Sequence, residues 1–145
     1  KKPIFGICLG NQLLAHALGG EVAFHPVGIE LGTVDVALDP QATQDDPLFH
    51  GLPANFKGQA AHRQHVRRLP PGAVRLAGNA FEPHQAFRAG RHAWGVQFHP
   101  EFGAAATAAY VRRHADPNQP APRVADTPEA ASLLVRFAEV ARTRL

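Results

Sequence analysis

The only cysteine of the chain, Cys8, lies in Gly6-Ile7-Cys8-Leu9-Gly10, where a short apolar run meets the first helical spacing. This arrangement resembles a nucleophile elbow. Glycines on both sides let the backbone turn sharply and pack closely, while the central residue takes a strained conformation. The thiol would then project above a sheet at a helix amino terminus, whose dipole favours the thiolate and lowers its pKa. The Leu9 N–H would point toward an oxyanion formed at Cys8. Two other roles stay open for a lone cysteine, an inert core thiol and one ligand of a mixed metal site. An intrachain disulfide and a multi-cysteine metal centre are excluded. Among the nine histidines, His62 and His65 are three apart and His92 and His99 follow, but no helical H-E-x-x-H pattern exists.

A cysteine nucleophile needs a base, and the base needs an orienting group. Trp94-Gly95-Val96-Gln97-Phe98-His99-Pro100-Glu101-Phe102 offers both within three residues. Val96 and Phe98 alternate as strand core and place His99 at the strand end. Pro100 fixes a turn from which Glu101 reaches back to the imidazole, holding its tautomer while the other nitrogen faces the thiolate.

Those residues require particular elements beneath them. Pro3 to Ile7 reads as a buried central strand, followed by a helix from Asn11 to Leu18 that Gly19-Gly20 stops. Strands are predicted at 21–24, 32–38, 56–61, 74–77, 85–88 and 93–98, and one short helical turn at 45–51. Gly103 to His114 is an alanine-rich helix, and 116–126, with three prolines, is a long loop. A last helix begins at Thr127 as its cap with Pro128 at its first position. Leu134, Ala138, Ala141 and Leu145 form the stripe expected to dock it on the core.

Taken together, Gly6-Ile7-Cys8-Leu9-Gly10-Asn11-Gln12 and Gly95-Val96-Gln97-Phe98-His99-Pro100-Glu101 resemble the class I, triad-type glutamine amidotransferases, most nearly the GMP-synthase-like amidotransferase domains. Leu18-Gly19-Gly20, Glu30-Leu31-Gly32, the run 61–66 and Pro83-His84-Gln85-Ala86-Phe87 extend the resemblance along the chain. It implies hydrolysis of the glutamine side-chain amide through a γ-glutamyl thioester, with ammonia passed to a synthetase or ligase. Cys8 would be the nucleophile, His99 the base and then acid, and Glu101 the orienting group. Leu9 would supply an oxyanion N–H, and Gln12 would contact the glutamyl end of the substrate. His62, Arg63 and Gln64 would belong to the loop that closes over glutamine. Related domains usually carry an acidic residue at the place of Gln64 and often a glycine at that of Arg63. The alternatives are a hydrolase of another γ-glutamyl compound and a catalytically silent interaction module.

The implied fold is a flavodoxin-like α/β sandwich of three layers, with a mostly parallel sheet and a small antiparallel extension. No metal or organic cofactor is implied. With 45% hydrophobic and 19% charged residues over 145 positions, the composition is that of an ordinary globular domain. The net charge of +3 rests on scattered arginines rather than a dense basic run, which disfavours nucleic acid as a partner. No apolar run approaches the roughly 20 residues that span a bilayer, and the sequence points to a cytoplasmic protein. An elbow at residue 8 belongs in mid-domain, so the chain reads as the carboxy-terminal portion of one amidotransferase domain. The upstream strands and glycine-rich oxyanion loop of the family have no counterpart in it. An exposed sheet edge is expected at the first strand, covered by another copy of the chain, a partner or upstream residues.

Overall fold

The computed structural model describes residues 1–144. In chain order the elements are β1 (Ile4–Ile7), α1 (Leu9–Ala17), β2 (Glu21–Phe24), β3 (Glu30–Leu38), α2 (Pro40–Thr43) and β4 (Asn55–His62). They continue with β5 (Gln64–Arg68), β6 (Val74–Gly78), β7 (Ala86–Ala89), β8 (Ala93–Val96), α3 (Ala104–His114) and α4 (Pro128–Thr143). A six-stranded sheet runs β1-β8-β7-β6-β3-β4, and β2 pairs with β5 in a separate two-stranded ribbon.

Only β1 and β8 pair in parallel; every other pairing among the described residues is antiparallel. The α/β class holds, but the antiparallel part is most of the sheet rather than a small extension. Short turns explain much of this: β6–β7 and β7–β8 are joined by too few residues for the crossover that parallel neighbours require. β1 is an edge strand of the sheet as described.

One face of the sheet carries the large core. Val36, Leu48, Phe49, Phe98, Trp94 and Leu133 are fully buried there. Phe137 of α4 packs on Phe5 at 5.2 Å between ring centroids and edge-on to Trp94 at 6.4 Å. The docking stripe of α4 is thus Ala130, Leu133, Phe137 and Val140, whereas Leu134 and Ala138 face solvent. The largest side chain, Phe137, sets the rotation of the helix about its axis. Leu145, the end of the expected stripe, lies outside the described residues. Thr127 does precede α4, yet its hydroxyl accepts from Gln59 Nε2 (3.2 Å) instead of capping the helix.

The expected turn forms at 47–51, closed by His50 N donating to Asp46 O (3.0 Å), and it is preceded by the short helix α2. Asp39 caps that helix through Gln41 N and Ala42 N, with Pro40 in the first turn. Asp46, buried, caps the 47–51 turn through Leu48 N and Phe49 N and also takes Arg88 Nε and Trp94 Nε1, tying the loop to the core.

The opposite face carries α1 and the β2–β5 ribbon over Ala15, Val66 and Phe87. Helix α1 lies unusually close to the sheet. A Cβ on Gly6 would sit 2.5 Å from Gly10 O, and one on Gly95 would sit 2.3 Å from Asn11 Oδ1 and 2.6 Å from the Phe87 ring. At the other end of the face a buried polar group holds the β4–β5 turn. His62 Nε2 donates to Glu30 Oε1 (2.7 Å) and Nδ1 donates to the Gln64 carbonyl (2.8 Å). Gln85 and Asn79 donate to the same Glu30 carboxylate. Burial pushes the His62 pKa down, but the Glu30 hydrogen bond and charge and the Gln64 carbonyl outweigh it, so the ring titrates above its ordinary value.

Two measurements follow from this packing. Gly6→Ala must push α1 off β1 against backbone atoms, and urea denaturation should show a loss of about 2–3 kcal/mol. Because the folded pKa of His62 is raised, the stability it contributes is complete below about pH 6.5 and is lost as pH climbs through the raised value. Thermal midpoints followed upward from about pH 6 should fall in the wild type, and the fall should flatten in His62→Gln.

Candidate active site

Strand β1 ends at Ile7 and α1 starts at Leu9, leaving one residue for the reversal. Cys8 takes φ 50°, ψ −103°, and is the sole non-glycine residue with positive φ among those described. Its amide donates to Val96 O (2.9 Å) and its carbonyl accepts Gln12 N (3.1 Å), so the strained residue is held from the neighbouring strand and from the helix. Strain of this kind persists only when the surroundings over-determine it.

The thiol lies against the Leu9 backbone amide, and Gln97 Nε2 donates to Sγ at 3.6 Å. Burial pushes the thiol pKa up, the Glu101 charge adds to the rise, and the Leu9 and Gln97 donors offset it only in part. The expected depression of the pKa by the helix terminus is therefore not met. The desolvation that comes with docking α1 on the sheet outweighs the dipole. Cys8 rests as a neutral thiol.

His99 follows β8 by three residues, and its amide is anchored to Gln59 O (2.8 Å). Its Nδ1 lies 3.1 Å from both Glu101 carboxylate oxygens, and its ring stacks on Phe102 at 4.0 Å and 7°. Phe102 stacks in turn on Tyr110 of α3 at 5.3 Å. The imidazole is thus fixed by a carboxylate on one nitrogen and a ring on one face, leaving Nε2 unused by that pair. The Glu101 charge reaches the Cys8 sulphur, although the hydrogen-bond donor on Sγ is Gln97 and not His99.

Gln12, one turn along α1, is buried; its amide nitrogen donates to Gln64 O (2.9 Å) and to Gln97 Oε1 (3.2 Å). The Arg63 and Gln64 side chains point to solvent, and both residues work through the backbone: Arg63 O accepts His25 N (2.8 Å) and Gln64 O accepts His62 and Gln12. Their unusual side chains therefore leave the inner lining of the turn untouched. Residues 8, 9, 12, 62 and 64 are linked in one connected group, with Arg63 at its rim.

Two residues escape a reading by motif. Gln97 is fully buried between Val96 and Phe98, and a polar side chain in so apolar a run is the signal that could have drawn attention to it. Phe102, just after Glu101, supplies the platform under His99.

The histidine pairs raised by spacing as metal ligands are not brought together. His62 faces Glu30, His99 faces Glu101 and His92 contacts Arg144. A different trio, His25, His65 and Glu82, is buried with possible ligand atoms within 4.8 Å of one another. His25 already uses both nitrogens, accepting Val27 N (3.1 Å) and donating to Phe81 O (2.7 Å). A cavity of about 870 Å³, lined by Ile4, Leu14, Leu18, Pro71 and His92 among others, opens at the end of β1 away from Cys8. No helix is long and apolar enough to cross a membrane among the described residues.

Several known proteins share long stretches of this sequence and its fold. The chain is 44% identical over 99 residues to the glutamine-hydrolyzing GMP synthase of Thermomicrobium roseum, covering 68% of this chain and 18% of that protein. It is 39% identical over 100 residues to a glutamine-hydrolyzing GMP synthase subunit of Archaeoglobus fulgidus, covering 68% of this chain and 52% of that one. The solved glutamine amidotransferase of Methylobacillus flagellatus superposes with a TM-score of 0.63 at 31% identity, over 97% of this chain and 58% of that one. The chain thus spans about half or less of the curated relatives' length. The family description "Glutamine amidotransferase class-I" fits residues 1–115, a stretch that includes both the Cys8 elbow and the His99–Glu101 turn, and the chain belongs to that family.

Proposed function

We propose that this chain carries the glutamine-hydrolysing centre of a class I amidotransferase, with ammonia handed to a synthetase partner. The observation that carries the reading is the strained Cys8 sulphur at the amino end of α1, in one electrostatic neighbourhood with a His99 ring fixed by Glu101. The names of the relatives, a glutamine-hydrolyzing GMP synthase and one subunit of such an enzyme, favour an ammonia-using synthetase as that partner.

The resting thiol is neutral, so His99 acts first as general base, taking the Cys8 proton as sulphur attacks the glutamine side-chain carbonyl carbon. The oxygen of the tetrahedral adduct receives the Leu9 N–H. Collapse breaks the carbon–nitrogen bond, and His99 returns the proton to the departing amine, which leaves as ammonia. Water, deprotonated by His99, then splits the thioester to glutamate and restores the thiol. Glu101 stabilises the imidazolium in both halves without itself being protonated. In this reading Gln12 and the backbone of His62, Arg63 and Gln64 hold the glutamyl end, and the link from Gln12 to the Gln64 carbonyl (2.9 Å) supports grouping them.

Ammonia and glutamate release from glutamine should fall by at least about 10³-fold in Cys8→Ala, while His99→Ala should give a comparable loss. Glutamate release that survives Cys8→Ala would overturn the reading. A γ-glutamyl peptide turned over in preference to glutamine would move the chain to the hydrolase alternative.

A further inference from the structure

We propose that Gln97 is a catalytic hydrogen-bond donor that stabilises the Cys8 thiolate as it forms, and that the Gln64 main-chain carbonyl, acting through Gln12, fixes which way its amide points. This rests on Cys8 being the nucleophile, as proposed above.

An amide has a donor end and an acceptor end of nearly equal size, so its orientation has to be imposed by neighbours. Here it is imposed from a group that can only accept. That group is the Gln64 main-chain carbonyl, positioned by His62 Nδ1, whose other ring nitrogen is held by the Glu30 carboxylate. That carbonyl also accepts at 2.9 Å from Gln12, which must therefore present its NH₂. The second hydrogen of the Gln12 amide runs to Gln97 at 3.2 Å, so Gln97 must present its oxygen to it. Asn11 Nδ2 converges on the same oxygen at 3.3 Å. The Gln97 NH₂ is left facing Cys8 Sγ at 3.6 Å. Gln97 is fully buried and its backbone N–H is tied to Gln85 O (2.8 Å), so the side chain has no water to turn over into.

A donor aimed at sulphur has little to gain from a neutral thiol and much from a thiolate. The site needs such a donor. Burial and the Glu101 charge both disfavour the anion, and Leu9 and Gln97 are the groups that counter them. When oxyanion chemistry draws on the Leu9 N–H, Gln97 is the donor left for sulphur as the leaving thiolate forms.

The test uses the full chain and the rate of Cys8 alkylation by iodoacetamide as a function of pH, which reads the thiolate without glutamine. Gln97→Met removes the donor at similar volume. Gln97→Glu keeps an acceptor for Asn11 and Gln12 but turns a carboxylate oxygen on the sulphur. The expected midpoints rise from wild type to Met to Glu, with alkylation at pH 7 slowed about tenfold in Met and further in Glu. Superimposed profiles in wild type and both variants would overturn the proposal. Loss of folding has a different signature: an exposed cysteine alkylates faster, near an ordinary thiol midpoint, with Met and Glu alike, and that result also counts against a specific donor. The fate of the underlying reading is separate. Shifted profiles without Cys8-dependent glutamate release would keep the donor and sink the glutaminase; Cys8-dependent release with unshifted profiles would do the reverse.

Discussion

Everything at this site depends on how closely α1 approaches β1 and β8. Gly6 has no room for a side chain because the Gly10 carbonyl and the Asn11 amide occupy it, and Gly95 is filled by Asn11 and the Phe87 ring. That contact forces the chain to reverse within one residue between β1 and α1. It also brings Asn11 and Gln12 down to the level of Gln97, which is how two helical amides come to share an oxygen on the neighbouring strand end. A helix held even a side chain's width higher would relieve Cys8 and dissolve the amide cluster at once.

The same contact dries the site, and drying changes its electrostatics. A helix terminus in water favours a thiolate; beneath a docked helix the thiol loses solvent and titrates high. The compensation is a set of oriented dipoles. One acceptor-only group, the Gln64 main-chain carbonyl, dictates the direction of each hydrogen bond up to the sulphur, and His62, held by Glu30, keeps that carbonyl in place. The β2–β5 ribbon matters because it supplies the Gln64 carbonyl at the head of that sequence.

Local signals in the sequence were enough to find the elbow, the His99-Pro100-Glu101 turn, β2, and the starts of α3 and α4, since each is encoded within a few residues by glycine, proline or alternation. The failures share a cause. The α4 stripe is set by where Phe137 meets Phe5 and Trp94, residues more than forty positions away in sequence. Asp46 caps the turn read there, but its buried carboxylate also holds Arg88 and Trp94, which no local pattern signals. The direction of the Cys8 pKa shift needs the burial around it, and the role of Gln97 needs Gln12 and Gln64 beside it. None of these partners is a sequence neighbour. Antiparallel order is legible in the short connections from β6 to β8, whereas the β3–β4 pairing spans a longer connection through α2.

The one strained residue carries a further meaning for how such a chain can change. The φ of 50° at Cys8 suits glycine better than any residue with a side chain. Mutation toward glycine at that position would relax the backbone while removing the sulphur, so the conformation this fold most comfortably accepts at residue 8 is an inert one. Persistence of cysteine there runs against the grain of the backbone, and strain on the order of 1–3 kcal/mol has to be met by the rest of the packing. Any loosening of the core under Trp94 therefore endangers the elbow first.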